Sequence, residues 1–352
     1  MAQPDTLYAA PVAVGAKDGS SLADAAAIDP GDANDIWTIA NDDVAALGNS
    51  EVLLCADDVV TTTGKIEITR DGAVGGTFVV RGRNAANTAD AQVVLDADGG
   101  AFPVVQLTAA DYWCFLGITA QNTNKAAGNY AWELTSGADY VTLYNCEGLS
   151  ALEGIYRTGG GSYAQIIGGE YSNNTNRGLY LNTSSIKVVG VVANANGNNG
   201  ILCSGVLLNC VCSNNGGHGA SLVTHASGCT FFGNAGDGCN CTNNAFVRDC
   251  IATENGGYGC ECSVTGFTVL ANFAHYLNTS GALVGLRQEF NTIALSANPF
   301  VDKANRDFRL NSAVGGGAAC RGLGYVSPDG NWVSYADLGA VQAKDRIVCA
   351  VR

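Results

Sequence analysis

The repeat that decides the fold reads GIYRTG (154–159), GLYLNT (178–183), GILCSG (200–205), GASLVT (219–224), GCNCTN (238–243), GCECSV (259–264) and GALVGL (281–286). Its lead glycines are separated by 24, 22, 19, 19, 21 and 22 residues, a spacing typical of one coil of a β-solenoid. Four residues before five of these glycines stands an asparagine: Asn174, Asn196, Asn215, Asn234 and Asn255. Two columns that keep register over so many repeats indicate that the repeats stack.

The residues that follow each lead glycine alternate in polarity. After Gly178, for example, Leu179 and Leu181 are separated by the more polar Tyr180. This period of two is the pattern of a strand with one buried face, and a lone strand cannot bury that face without stacked neighbours. We expect the glycines to supply the positive φ of a tight turn. We expect the asparagine amides to bond to one another along the stack.

These two columns resemble those of the right-handed parallel β-helix superfamily, which includes pectate lyases, polygalacturonases and many phage tailspikes. The resemblance implies an all-β chain, a single-stranded right-handed parallel β-helix with three short parallel strands per coil and a cap at each end. The expected ladder residues are Gly178, Gly200, Gly219, Gly238 and Gly259 with the five asparagines. We divide the chain into an N-terminal cap with the first strands (1–70), the coils (71–285) and a C-terminal cap (286–352).

The N-terminal segment is expected to close the open end of the solenoid. The sequence KDGSSLADAAAID (17–29) offers a polar cap at Asp18, Ser20 or Ser21, followed by a short alanine-rich helix. The first strand candidates come after it, at 36–40, 51–56, 64–70, 76–82 and 92–100.

The composition argues against two classes of partner. The net charge is −14 and the 18 basic residues are scattered, so no phosphate-binding stripe is expected and nucleic acid is excluded as a partner. Apolar runs stay shorter than the ~18–20 residues of a membrane span, so no membrane partner is expected. The first residues lack a signal-peptide pattern, which predicts a soluble protein made without classical export.

The 14 cysteines also follow the repeat. Cys210, Cys229 and Cys250 each stand nine residues before a lead glycine, and the spacing places Cys239 on Cys260 and Cys241 on Cys262. We expect these seven to be reduced, metal-free thiols that fill a narrow core, with no cofactor. Zinc bound by the last four is the alternative, although a C-x-C pattern on strands differs from the usual loop spacing of zinc ligands. Cys320 and Cys349 are better candidates for a disulfide.

No recognisable catalytic set emerges from the sequence. Gly217-His218-Gly219 resembles a polygalacturonase motif, but the acidic motifs that accompany it in that family are missing, so His218 is interpreted as a solvated turn residue. If the protein is an enzyme, the candidates are Glu153, Glu170, Arg157 and His218. Stacked coils bring almost any two carboxylates within the ~5–10 Å that glycosidases use, so this signal is unspecific.

The sequence therefore leads to a structural hypothesis. Tyr156, Tyr180 and Leu202 form an outward strip that favours self-association, and the resemblance to tailspikes implies a homotrimer. We expect a non-catalytic bacteriophage virion protein, a head decoration or a tail spike or fibre, assembled in the host cytoplasm. Its expected partners are capsid or tail proteins, with a surface glycan as a further candidate. The alternative is a lyase or hydrolase of polysaccharides, although the charge of −14 disfavours polyanionic substrates. A surface adhesin is the weaker alternative.

Overall fold

The computed structural model of the chain describes residues 6–12, 20–30, 35–37, 51–71, 77–157, 159, 163–183, 185–262, 268–285, 287–323 and 339. Within them, parallel pairing joins 29 strands into one continuous ladder, with one separate antiparallel pair. The protein is thus an all-β, right-handed parallel β-helix, as the sequence predicts.

The ladder strands fall into three columns, apart from Ala26–Ala27, which pairs with the end of Thr6–Ala10. The first column, which follows the lead glycines, contains Ile66–Ile68, Val105–Leu107, Trp132–Leu134, Ile155–Arg157, Leu179–Leu181, Ile201–Cys203, the start of Ala220–Ser227, the start of Cys239–Thr253, Tyr258–Cys262 and Gly281–Val284. The second column contains Thr6–Ala10, Glu51–Cys55, Phe78–Arg83, Trp113–Leu116, Val141–Tyr144, Ala164–Ile167, Ile186–Val189, Val206–Leu208 and parts of the longer strands Ala220–Ser227, Cys239–Thr253, Thr268–Tyr276 and Arg287–Ala294. The third column contains Val60–Thr61, Val93–Asp96, Ile118–Gln121, Glu147–Leu149, Glu170–Ser172, Val192–Asn194, Val211–Ser213, Thr230–Phe232 and the ends of Cys239–Thr253, Thr268–Tyr276 and Arg287–Ala294.

The ladder is longer than the segment assigned to coils from the sequence. At one end Thr6–Ala10 pairs in parallel with Glu51–Cys55, so stacking begins inside the predicted N-terminal cap. At the other end Arg287–Ala294 pairs with Thr268–Tyr276, beyond the predicted boundary at 285. Parallel pairing continues there because backbone groups can bond to the coil below after the glycine and asparagine columns have ended.

The N-terminal segment differs from its predicted form. Where an alanine-rich helix was expected, the structure has a single 3-10 turn, Leu22–Asp24, followed by a two-residue strand, Ala26–Ala27, paired with Thr6–Ala10. Within the strand candidate at 36–40, the described residues Ile36 and Trp37 are helical and buried. Small alanine side chains allow close packing at the end of the core, and such tertiary contacts outweigh the strong intrinsic helix preference of alanine. Asp18 lies outside the described residues.

The lead glycines stack as predicted from Gly154 to Gly259, but for another reason. Their φ values are ordinary. A Cβ on Gly219 would lie 2.5 Å from the carbonyl oxygen of Gly238 in the next coil, and the same contact recurs along the column. The residue with positive φ is instead the one before each ladder asparagine, for example Asn173 before Asn174 and Asn214 before Asn215. The glycines are therefore required by close approach between coils.

Gly281 does not belong to this column. It pairs with Tyr258, and Ala282 lies next to Gly259. The asparagine column explains the difference, because Asn278 accepts from Asn255 and stands four residues before Ala282. Gly281–Val284 is the last strand of its column in the described part of the chain, so the Cβ of Ala282 has no described coil above it to meet.

The core lies inside the three columns and changes character along the axis. In the early coils it is filled by large rings, with Phe78, Trp113, Phe115 and Trp132 all buried and in ring contact. In the later coils cysteine, alanine and valine take the inward positions beside Phe231 and Phe273. The core is thus filled by large rings in the early coils and mostly by small side chains in the later ones.

The C-terminal segment folds back along the third column. Phe300–Asp302 and Asp307–Leu310 form an antiparallel hairpin, followed by the short helix Gly317–Cys320. Phe300, Phe308 and Cys320 bury the outward side chains of Val211 and Phe232 in a second apolar cluster. This part of the predicted cap therefore covers a side of the solenoid. Within the described ranges, no helix has the length and apolar character needed to cross a membrane.

Candidate functional site

The first column presents a row of aromatic rings to the outside. Tyr130, Tyr156 and Tyr180 stack in three consecutive coils, with ring centroids 4.1 and 5.4 Å apart and interplanar angles of 8° and 26°. Leu202 follows Tyr180 in register. The guanidinium of Arg177 lies 4.6 Å above the Tyr180 ring centroid. We call Tyr130, Tyr156, Tyr180 and Leu202 the tyrosine face, and all four are partly exposed.

A buried carboxyl borders the tyrosine face. Glu153 Oε1 accepts from Asn176 Nδ2 at 2.6 Å and from Arg177 Nη1 at 2.8 Å. Its Oε2 is buried without a hydrogen-bond partner among the described residues. Burial raises the pKa of Glu153 to about 7, against the opposing effect of Arg177 and Asn176. On the same face, burial raises the pKa of Glu133, which accepts from Gln106 at 2.5 Å.

We predict a pH-dependent loss of stability from Glu153. The native pKa of about 7 lies above the value near 4.3 in an unfolded chain, so the native state binds the proton more tightly between those values. The free energy of unfolding should therefore fall as pH rises through this window, by on the order of 2–4 kcal/mol, and level off above it. Denaturant unfolding at pH 5 and pH 8 measures this difference. In Glu153→Gln the difference should shrink by that amount, and an unchanged pH dependence would contradict the assignment.

Arg177 was missed as a site residue although the repeat pointed to it. Glu153, Arg177, His218 and Asp237 all stand directly before a lead glycine, so they share one column. Stacking makes the neighbouring members partners: Arg177 binds Glu153, and His218 Nδ1 lies 3.0 Å from the amide nitrogen of Asp237 and 3.1 Å from its Oδ2. Comparing charges down this column would have revealed both pairs.

Arg157, one of the candidate catalytic residues, lies inside the core. Its side chain points into the core, is buried, and pairs through Nη2 with Asp139 Oδ1 at 3.1 Å. Arg157 pairs with Leu134 in the preceding coil and with Leu181 in the following coil, and the side chains at this strand position point inward. Burial lowers the pKa of Arg157, opposed by Asp139. Arg157 therefore cannot act as a base at the surface of the tyrosine face.

The other two catalytic candidates lie away from the tyrosine face. Glu170 is in the third column, where Arg306 of the C-terminal hairpin binds its Oε1 at 2.7 Å. His218 is partly buried in its turn, and its bond to Asp237 raises its pKa against the opposing effect of burial. His218 is thus a member of a polar ladder and not a freely solvated residue. The structure does not bring Glu153, Glu170, Arg157 and His218 together.

The cysteine ladders have the predicted register. Cys239 pairs with Cys260 and Cys241 with Cys262, and the strand pairings next to Cys210, Cys229 and Cys250 align these three. The described cysteines other than Cys320 are free thiols, and Cys349, the predicted disulfide partner of Cys320, lies outside the described residues. Burial holds the pKa of Cys210, Cys212 and Cys229 well above the ordinary range. Thiols in such surroundings are poor nucleophiles.

A second aromatic column was not anticipated. Tyr112, Tyr140 and Tyr163 stack where the chain enters the second column, with centroids 4.8 and 5.2 Å apart, beside a cavity of about 310 Å³. All three have positive φ. No repeat motif marked them, because each stands in a turn whose length varies. They provide a matched control for the tyrosine face.

The fold and the stacked polar columns define a right-handed parallel β-helix protein. No protein-family model and no curated protein matches the chain. Among solved structures it is similar to the pectate lyase Pel9A, with 18% identity, 96% of each chain covered and a TM-score of 0.65. It is also similar to ORF18 of Geobacillus virus E2 (13% identity, 77% of this chain and 60% of that chain, TM-score 0.45). A third likeness is to the A-module of the Azotobacter vinelandii mannuronan C-5 epimerase AlgE6 (14% identity, 74% and 94%, TM-score 0.45). At these identities the likenesses concern the fold alone.

Proposed function

We propose that this protein is a non-catalytic structural component of a bacteriophage particle, in which copies of the chain associate as a trimer through the tyrosine face. The observation that carries the proposal is the continuous aromatic column of Tyr130, Tyr156 and Tyr180 on the outside of a rigid ladder. Rings at fixed spacing offer a large apolar area at little cost in side-chain entropy. Further partners would be capsid or tail proteins, met during assembly in the host cytoplasm.

Other outward apolar residues of the solenoid are covered by the chain itself, which supports a second copy of the chain as the partner that covers the tyrosine face. In the third column, Val211 and Phe232 are covered by the protein's own C-terminal hairpin. No described segment covers the tyrosine face in the same way. Because a stacked solenoid core is already closed within one chain, the face is not needed to fold the subunit. An apolar surface left over on a stable rod is typical of an interface.

The surroundings of the candidate catalytic residues favour the structural role. Arg157 and Glu170 are held in ion pairs at other places in the fold. Glu153 accepts from two side chains of the next coil, and His218 is bound to Asp237. Each of these contacts stabilises the stacking of neighbouring coils or the hairpin, which is a sufficient reason for the residue to be there.

Charged replacements test the interface. In the Tyr156→Glu/Tyr180→Glu double variant, sedimentation velocity should show loss of an assembly of three 36.0 kDa chains, with the subunit still folded by circular dichroism. Each buried tyrosine contributes roughly 1.5–3 kcal/mol, so association should weaken at least about 100-fold. The control is Tyr140→Glu/Tyr163→Glu in the second aromatic column, which should assemble normally. Normal assembly of the first variant would exclude the tyrosine face as the interface.

A polysaccharide-acting enzyme is the second candidate, and one observation favours it. The pKa of about 7 at Glu153 suits a general acid at neutral pH, and the carboxyl borders an aromatic face. Pel9A, whose fold this chain shares, is a pectate lyase. The test is to incubate the wild type with pectate and alginate and measure unsaturated and reducing ends. Product formation that disappears in Glu153→Gln or Glu170→Gln would replace the structural proposal with the enzymatic one.

A further inference from the structure

Four cysteines occupy one patch of the core wall. Cys239 and Cys241 lie on one coil of the first column, and Cys260 and Cys262 lie directly on the next. Because side chains of a strand alternate between faces, a C-x-C pattern places both thiols on the same side. All four are buried, with at most 5% of any of them exposed. The patch belongs to neither the tyrosine face nor any contact of the C-terminal hairpin described above.

Three of the four sulfur atoms of this patch have the spacing of metal ligands, and the fourth, Cys262 Sγ, contacts Cys260. Cys241 Sγ lies 3.6 Å from Cys239 Sγ and 3.7 Å from Cys260 Sγ, and Cys260 Sγ lies 3.8 Å from Cys262 Sγ. The first three sulfur atoms all lie within 4.8 Å of one another. Zinc–thiolate bonds of about 2.3 Å in a tetrahedral site place two sulfurs about 3.8 Å apart. A disulfide would require about 2.05 Å.

The other cysteine ladder in the same core has different contacts. The thiol of Cys210 donates to Leu208 O at 3.4 Å, that of Cys229 to Ser227 O at 3.5 Å, and that of Cys250 to Arg248 O at 3.0 Å. These are the bonds expected of buried thiols that only fill space. Cys239, Cys241 and Cys260 instead turn their sulfurs toward one another. The core therefore contains two kinds of cysteine, and one of them has the arrangement of a ligand set.

We propose that Cys239, Cys241 and Cys260 bind one zinc ion, with Cys262 next to them as the fourth thiolate. The sequence argument against zinc rested on loop spacing, but stacking supplies the missing proximity. On binding, each ligand thiol releases its proton to solvent as the Zn–S bond forms. With four thiolates a divalent ion leaves a net charge of −2, where a monovalent ion would leave −3, and the smaller charge costs less to bury. The ion is enclosed when the two coils stack, so it joins them.

Metal analysis with a matched control tests the site. The protein is produced with zinc supplementation and purified under reducing conditions. Elemental mass spectrometry should then find about one zinc ion per chain. Cys241→Ser removes the sulfur that contacts two others, so it should lower the zinc content per chain at least tenfold. Cys229→Ser, in the neighbouring ladder, should keep the full content. Equal loss in both variants, or stoichiometric copper in place of zinc, would overturn the assignment.

A second measurement covers the case in which Cys241→Ser does not fold. Wild-type protein unfolded with a chelator and then refolded with one equivalent of Co²⁺ should develop the intense thiolate-to-cobalt absorption, which one equivalent of Zn²⁺ removes. Refolded Cys229→Ser should show the same absorption. Wild-type protein that lacks zinc as purified and shows no cobalt absorption after refolding would refute the proposal.

Discussion

Gly219→Ala should destabilise the protein by about 3 kcal/mol or more, through a single added methyl group. Its Cβ would lie 2.5 Å from the Gly238 carbonyl oxygen and 2.8 Å from Asn234 Nδ2. Both atoms belong to the next coil and are held by the ladder, so neither can move without separating two coils over their whole width. Overpacking a rigid core costs typically ~1–3 kcal/mol, and a clash with main chain lies at the upper end. Equilibrium denaturation in urea measures the loss.

A glycine outside the column provides the control for Gly219→Ala. Gly64 has an ordinary φ, and a Cβ there would meet only Pro30 Cγ at 3.8 Å. Gly64→Ala should therefore leave stability unchanged or raise it by up to about 1 kcal/mol, since alanine restricts the unfolded chain. Equal destabilisation by both substitutions would show that close approach between coils is not the reason for the glycine column.

Asn215→Ala should cost about 3 kcal/mol by opening the asparagine ladder. The Nδ2 of Asn215 donates to Asn234 Oδ1 at 2.8 Å and to Ala193 O at 3.1 Å. Its Oδ1 accepts from the side chain and the main-chain amide of Asn196, at 2.9 and 3.1 Å. Removing it breaks these four hydrogen bonds and leaves two buried N–H donors of Asn196, the main-chain amide and one side-chain N–H, without an acceptor, at a cost of roughly 1–3 kcal/mol each. The midpoint of urea denaturation measures the change.

Asn198→Ala is the matched control for the ladder, because it changes the same residue type in the equivalent turn of the preceding coil. Asn198 is partly exposed and donates a single side-chain bond, to Asn176 Oδ1 at 3.1 Å. Water can replace that bond, so the loss should stay within about 1 kcal/mol. If the two variants lose equal stability, the buried ladder contributes no more than an ordinary surface asparagine.

The sequence by itself determined the fold, since the same contact is repeated in successive coils from Asn174 to Asn278. An asparagine four residues before a glycine recurs five times, and the ladder from Asn174 to Asn255 follows that register. The sixth member, Asn278, could also have been found, because it obeys the same spacing to Ala282. Gly281 suggests a register in the last repeat that is wrong by one residue, because Ala282 takes the column position there. A buried amide that must meet its neighbour constrains the register more strictly than a small residue does.

Only the tertiary structure decided the contacts that join residues without a shared repeat position. The hairpin at 300–310 comes after the repeats, so nothing periodic places Arg306 on Glu170 or Phe300 beside Phe232. Side-chain direction was also decided only by the tertiary structure. Cys239, Cys241 and Cys260 are aligned by the register, but the approach of their sulfur atoms to 3.6 and 3.7 Å depends on rotamers chosen by packing. Backbone periodicity determines which residues are neighbours, and packing in the folded core determines which of their atoms meet.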